Sequence, residues 1–170
     1  MRIDASADIG TARISADKRV NIFYYPIDTW ADFIFFNFCM DRGAGHQLED
    51  VRGCSYGPWV RAIEGIFKEE KFHIRHGEFW VTKLAVDPAT RDEAQATLNK
   101  WYIRTMNIFG RPGSPKNTLY RKYRLKLRDN DEVRRSFAVE VKAKALSVGL
   151  TVPEWIPVWD RLPEEAQIPG

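Results

Sequence analysis

Cysteine is scarce in this chain: its 170 residues hold two, Cys39 and Cys54. Two exclude the disulfide framework that staples small secreted domains, and a chain of this length can bury a core without one. Both read as core or turn residues, because no neighbouring base marks either as an activated thiol. Long apolar runs are missing as well. The longest, FIFFNFCM (33–40), falls far short of the ~20 residues of a membrane helix. The opening stretch MRIDASADIGTARISADKRVNIF has no apolar run either, so no signal peptide and no membrane partner are expected, and a cytoplasmic compartment is the default expectation. A dominant charge is absent. Twenty-six Lys and Arg against 23 Asp and Glu leave a net +3, too little to argue for nucleic acid. No alternating strand pattern, internal repeat or low-complexity tract appears, and the expected architecture is all-α.

Aromatic residues are plentiful, at 13% with six Trp and ten Phe, which implies large buried surfaces or an obligate partner. Residues 1–25 show no sustained period and are expected to form an irregular arm. From Asp28 a helical signal runs to Val51, with Asp28 and Thr29 as capping residues. Its first half is apolar nearly all round, as in a buried helix. Gly43 and Gly45 weaken it by roughly 1 kcal/mol each, and either kink it or admit a close neighbour. CSYGPW breaks the chain, with Pro58 suited to the start of the next helix. A helical period follows over 59–86, then DPAT, then a third helix over 91–109. GRPGSPKN is a loop and TLYRKYRLKL (118–127) a short basic helix. Asp129 or Asn130 caps a last helix that ends near Gly149. The expected domain is 26–150, and the Pro- and Trp-rich tail 151–170 is expected to pack as an extended strap.

The stretch KEEKFHIRHGE (68–78) contains Glu70-x-x-His73. If the first two helices form an antiparallel hairpin about Ser55, Asp41 lies 14 residues before the hinge and Glu70 lies 15 after it. At 1.5 Å per residue both sit roughly 21 Å from the turn. His73 shares the face of Glu70. A carboxylate on one helix opposite Glu-x-x-His on its neighbour is the pattern of helical-bundle di-iron and di-manganese sites, and such donors suit iron or manganese. Plainer readings stand beside this one. Glu-x-x-His arises by chance in many helices, and Asp41 could pair with Arg42 or Arg61 or mark where the helix emerges. Glu69, His76 and Glu78 are expected on other faces. His46 and Glu64, at matched depths, read as a supporting or surface pair. In YRKYRLKLR, Arg121, Arg124 and Arg128 fall on one side at helical spacing and Lys122 and Lys126 on another. That is usually a solvated face, though either side would suit phosphates.

The ordered series YYPIDTWADFIFF, MDRGA, CSYGPWVRAI, KEEKFHIRHG, NIFGRPGSPKN, RDNDEVRRSF and VGLTVPEW, running from about Lys18 to Pro157, resembles the phenylacetic acid catabolic protein family. The resemblance implies a ferritin-like helical bundle. It implies a di-iron monooxygenase that epoxidises the ring of an aromatic acyl-CoA thioester, within a complex that draws electrons from a separate reductase and also holds a structural subunit. Carried over residue by residue, the metal ligands, and with them the catalytic role, fall on Asp41, Glu70 and His73. The contacts to the CoA moiety fall on Lys18, Lys126 and Asn130.

The family's first helix pair, which supplies another Glu and a first Glu-x-x-His, precedes the matched stretch. Residues 1–25 offer Asp4, Asp8 and Asp17 but no Glu and no His. The expectation is therefore a partial bundle carrying half of a di-iron ligand set. A separate chain could supply the missing helices, or a second copy could do so in a homodimer. In the third reading the site is dead, and the chain is a non-catalytic structural subunit or an acyl-CoA-binding partner.

Overall fold

The computed structural model describes residues 21–157. Among them every regular element is a helix and there is no strand. The α-helices are α1 (Trp30–Phe36), α2 (Arg42–Val51), α3 (Gly57–Val86), α4 (Arg91–Met106), α5 (Pro115–Lys122) and α6 (Asn130–Ser147). Short 3-10 turns occupy Asn21–Tyr24 and Asn107–Phe109. No helix among the described residues is long and apolar enough to cross a membrane. The fold is an all-α, ferritin-like bundle in which α3 packs against α1, α2 and α4. Of the expected arm, residues 1–20, and with them Lys18, lie outside the described residues; of the tail, so do 158–170. Residues 151–157 carry no regular structure, and Trp155 donates from its indole Nε1 to Asn107 Oδ1 at 3.2 Å.

The sequence explains most boundaries. Thr29 Oγ1 accepts from the Asp32 amide at 3.0 Å and starts α1. Asp129 and Glu132 form a capping box at the head of α6, each side chain taking an orphan amide. At the far end Gly149 adopts φ +75°, the left-handed step that closes a helix.

Three expectations need correction. The helix expected over 28–51 is interrupted by a π segment, Asn37–Asp41, between α1 and α2. Its apolar first half is not wholly buried: Ile34 and Phe35 are inside, while Trp30 (51%) and Phe33 are exposed. The basic helix expected over 118–127 begins at Pro115 and stops at Lys122, and Arg124 takes φ +56°. A buried carboxylate on α2 decides this. Asp50 accepts from the amides of Leu127 and Arg128 and from Arg128 Nε, at 3.3, 3.0 and 3.0 Å. Ser55 adds bonds to the carbonyls of Tyr123 and Arg124. These long-range bonds satisfy a backbone that a helix would have satisfied locally. The shared basic face of Arg121, Arg124 and Arg128 is therefore not formed.

Glycine fixes how close the helices come. A Cβ on Gly43 would stand 2.9 Å from Ile108 Cδ1 and 3.0 Å from Thr105 Cγ2, so Gly43 admits a neighbour rather than kinking α2. A Cβ on Gly77 would stand 2.8 Å from the Phe38 amide nitrogen and 2.9 Å from its Cα, so the backbone of α3 lies directly on the π segment.

A charged network ties α2, α3 and α6 together. Arg42, 1% exposed, donates to the Phe38 carbonyl at 2.6 Å, to Glu140 at 2.8 Å and to Glu78. His46 Nε2 bonds the other Glu140 oxygen at 2.8 Å, and Lys144 pairs with Glu78 at 2.9 Å. His46 thus pairs with Glu140, and Glu64 with Arg52 at 3.0 Å, so the two are not each other's partners. The His46 hydrogen bond, with Arg42 assisting against partial burial, holds Glu140 down at about 2 from an ordinary 4.5. A carboxylate whose folded pKa lies below its unfolded one stabilises the fold above the unfolded value and loses that contribution as pH falls through the folded one. The stabilisation is thus full above about pH 4.5 and fades towards pH 2. Glu140→Gln is expected to flatten the melting-temperature profile between those limits; a profile parallel to wild type would show the network contributes nothing there.

Candidate metal centre

Asp41 closes the π segment. Such segments insert one residue into the helical ladder and often sit at functional sites. This one delivers Asp41 into the interior at 7% exposure, where Asn37 Nδ2 donates to its Oδ2 at 2.8 Å. The adjacent Arg42 spends its donors on Phe38, Glu78 and Glu140, so the expected alternative of an Asp41–Arg42 pair is not realised. Glu70 and His73 project from the middle of α3. One donor atom each from Asp41, Glu70 and His73 lie within 4.8 Å of one another. The three residues therefore come together, as their matched depth on the hairpin requires.

The electrostatics of the trio are unbalanced without a cation. Burial raises the pKa of Asp41, against the Asn37 hydrogen bond and the fields of His73 and His76. Burial also raises that of Glu70, and the charge of Asp41 raises it further. Glu70 Oε2 is buried with no hydrogen-bond partner among the described residues. A buried carboxylate oxygen left bare is costly. A cation between the three groups would give that oxygen a partner and offset the repulsion. Two carboxylates and an imidazole are hard-to-borderline donors and fit iron or manganese better than a soft metal. The residues present therefore fit the implied metal.

The surroundings correct the reading of the neighbouring charges. His76, one turn beyond His73, is half-buried, its ring 6.4 Å from that of Phe33, and its field reaches Asp41. Glu78 is tied to Arg42 and Lys144. Glu69 is exposed. Asn37 and Gly77 escaped the sequence reading. Asn37 stands four residues before Asp41, a spacing that could have suggested it. Gly77 stands one turn after His73 in an otherwise uninterrupted helix, where a glycine without a turn invites the question of what approaches it.

Of the three residues expected to contact CoA, two are described, and they adjoin: Lys126 Nζ donates to Asn130 Oδ1 at 3.4 Å. Asn130 is buried and donates from Nδ2 to the Arg111 carbonyl at 2.8 Å. Burial lowers the pKa of Lys126, against the opposing charge of Asp50. Cys39 is buried, which pushes its thiol up to about 12, as befits a core residue.

With fold and geometry in place, two comparisons identify the kin of this chain. Its residues 11–161 match the family model described as phenylacetic acid catabolic protein. Over 140 residues it is 30% identical to one of the subunits of the 1,2-phenylacetyl-CoA epoxidase of Escherichia coli (strain K12). That alignment covers 81% of this chain and 45% of the relative, so the chain spans about half the length of the curated protein it matches. The family match extends over most of the chain, and the chain belongs to the phenylacetic acid catabolic protein family.

Proposed function

We propose that this chain supplies Asp41, Glu70 and His73 to a di-iron centre in a monooxygenase that epoxidises the ring of an aromatic acyl-CoA thioester. The observation that carries the reading is the convergence of these three donors around the unpartnered Glu70 Oε2, in a chain whose relative is named as a phenylacetyl-CoA epoxidase subunit. The three described donors amount to half of the ligand set of a helical-bundle di-iron site. When bound, such a centre supplies dioxygen activation, with electrons from a separate reductase.

The chain's own residues have distinct parts to play. Asn37 donates to Asp41 Oδ2 and would hold that carboxylate in one orientation toward a metal. Glu70 and His73, one turn apart on a rigid helix, keep a fixed separation. Phe33 packs its ring edge against His76, and Trp30 packs on Trp80 beside it, which gives that flank of the site an aromatic wall. Lys126 and Asn130 would meet the CoA moiety, the ammonium facing a phosphate.

Metal analysis tests this reading. The purified chain, alone and in the assembly that completes its ligand set, should hold iron well above trace in at least one sample. The iron-loaded assembly, given a reductant, dioxygen and an aromatic acyl-CoA, should yield a product one oxygen atom heavier. Trace iron in both samples would leave a metal-free structural subunit or an acyl-CoA-binding partner as the function.

A further inference from the structure

Asp41 closes the π segment, and the side chain of the next residue grips that segment from within the core. In a regular helix the Phe38 carbonyl would take the amide of Arg42, four residues on. Here the Arg42 amide bonds the Cys39 carbonyl. The Phe38 carbonyl receives the Arg42 guanidinium, with Nη1 at 2.6 Å. The same guanidinium lies over the Phe38 ring, 4.6 Å from its centroid. Arg42, 1% exposed, thus gives a buried carbonyl the partner it needs. A second bond of the same step, from Asn37 Nδ2 to Asp41 Oδ2, spans the segment one residue earlier.

Of the three groups that Arg42 bonds, Glu78 and Glu140 stand on other helices and Phe38 stands inside the segment. A tie between helices needs only the glutamates, and His46 to Glu140 and Lys144 to Glu78 supply such ties beside it. The bond to Phe38 adds nothing to that tie. It fastens the segment to a guanidinium that α3 and α6 hold still, a task that suits a planar fork of five donors. The flanks are fixed by other bonds: Asp32 accepts from Trp101 Nε1 at 2.8 Å on the α1 side, and Asp50 from the Leu127 and Arg128 amides on the α2 side. Slack in the segment would therefore fall on the residues between, Asp41 among them. It would move that carboxylate relative to Glu70 and His73, which α3 carries.

We propose that Arg42 is a positioning residue of the candidate metal centre: anchored by Glu78 and Glu140, it holds the π segment in the register that turns Asp41 toward Glu70 and His73. The grip follows from the hydrogen bonds; its bearing on a metal rests on the ligand reading above.

The test compares Arg42→Lys with Arg134→Lys. Arg134 is an equally buried arginine, bonded to the Met106 and Gly110 carbonyls and to Asp131. Lysine keeps the charge at either position but not the fork, so both variants should melt lower. In the metal-free full chain, hydrogen exchange at the amides of residues 38–43 should quicken about tenfold in Arg42→Lys, the worth of one charged hydrogen bond, and hold steady in Arg134→Lys. The assembly that completes the ligand set is then loaded anaerobically with Fe(II). Arg42→Lys should bind iron roughly 10–100-fold more weakly and with an altered ligand-field spectrum, and Arg134→Lys should change neither. Glu140→Ala, 98 positions along the chain from Arg42, should act in the same direction, and it carries the test if Arg42→Lys does not fold. Faster exchange together with a wild type that binds no iron would uphold the grip and sink the ligand reading. Exchange no faster than in Arg134→Lys would overturn the grip. Unchanged affinity and spectrum, where wild type does bind iron, would overturn the positioning role.

Discussion

Gly77→Ala should melt about 4–8 °C below wild type, although alanine is the better helix former by ~1 kcal/mol. The added Cβ would meet the backbone of Phe38 and Asn37, at 2.8 to 3.1 Å, where no side chain can swing aside. Overpacking of this kind costs about 1–3 kcal/mol, and contact with backbone belongs at the upper end. The only relief is for α3 and the π segment to separate, and the π segment carries Asp41. Metal affinity should therefore fall by roughly 10–100-fold, the range seen when groups that orient ligands are lost. Gly65 supplies the control on the same helix: a Cβ there meets nothing within 4 Å, so Gly65→Ala should hold or raise the melting temperature and leave metal binding alone. Equal melting of the two variants would refute the clamp.

Glu70→Gln should move the two observables in opposite directions. In the metal-free chain it removes a charge that burial and Asp41 both oppose, and the new amide can donate towards Asp41. The metal-free protein should melt a few degrees higher, at the ~2–4 °C per kcal/mol expected for this size. The same change removes an anionic ligand, so iron binding should collapse. Stability gained where function is lost is the signature of a site held in a strained, unpaired state for its ligand. A lower melting temperature for Glu70→Gln would instead mean that Glu70 has a stabilising partner in the metal-free fold.

The sequence made the relative placement of the site readable because that placement depends on helical rise and on one turn. CSYGPW marks the hinge, Asp41 and Glu70 stand nearly equidistant from it, and Glu-x-x-His sets the face. The caps at Thr29 and Asp129 and the closing Gly149 were legible for a similar reason, since each is local chemistry between residues a few positions apart. The π segment left no such trace. It adds one residue to a turn, and what packs on it comes from across the bundle: the backbone of Gly77 lies against it, and the following Arg42 bonds Glu78 and Glu140. The end of α5 was misplaced by the same kind of long-range effect. Local pattern favoured a helix through Leu127, and Asp50, 77 residues earlier in the chain, drew that backbone to itself. The roles of His76 and Glu78 were hidden for want of a partner in the sequence: Phe33 and Arg42 come to them only through the fold.

The claim at the centre of this account is that Asp41, Glu70 and His73 hold iron together, and the most direct measurement is retained iron after anaerobic Fe(II) loading and desalting of the assembly that completes the ligand set, for wild type, Asp41→Ala and His73→Ala side by side. Wild type should keep about one iron per chain, its share of a two-metal centre. Each variant should keep only a trace, and metal-free His73→Ala should melt as wild type does because that side chain is exposed. Variants that retain the wild-type content, or a wild type that retains none, would contradict it.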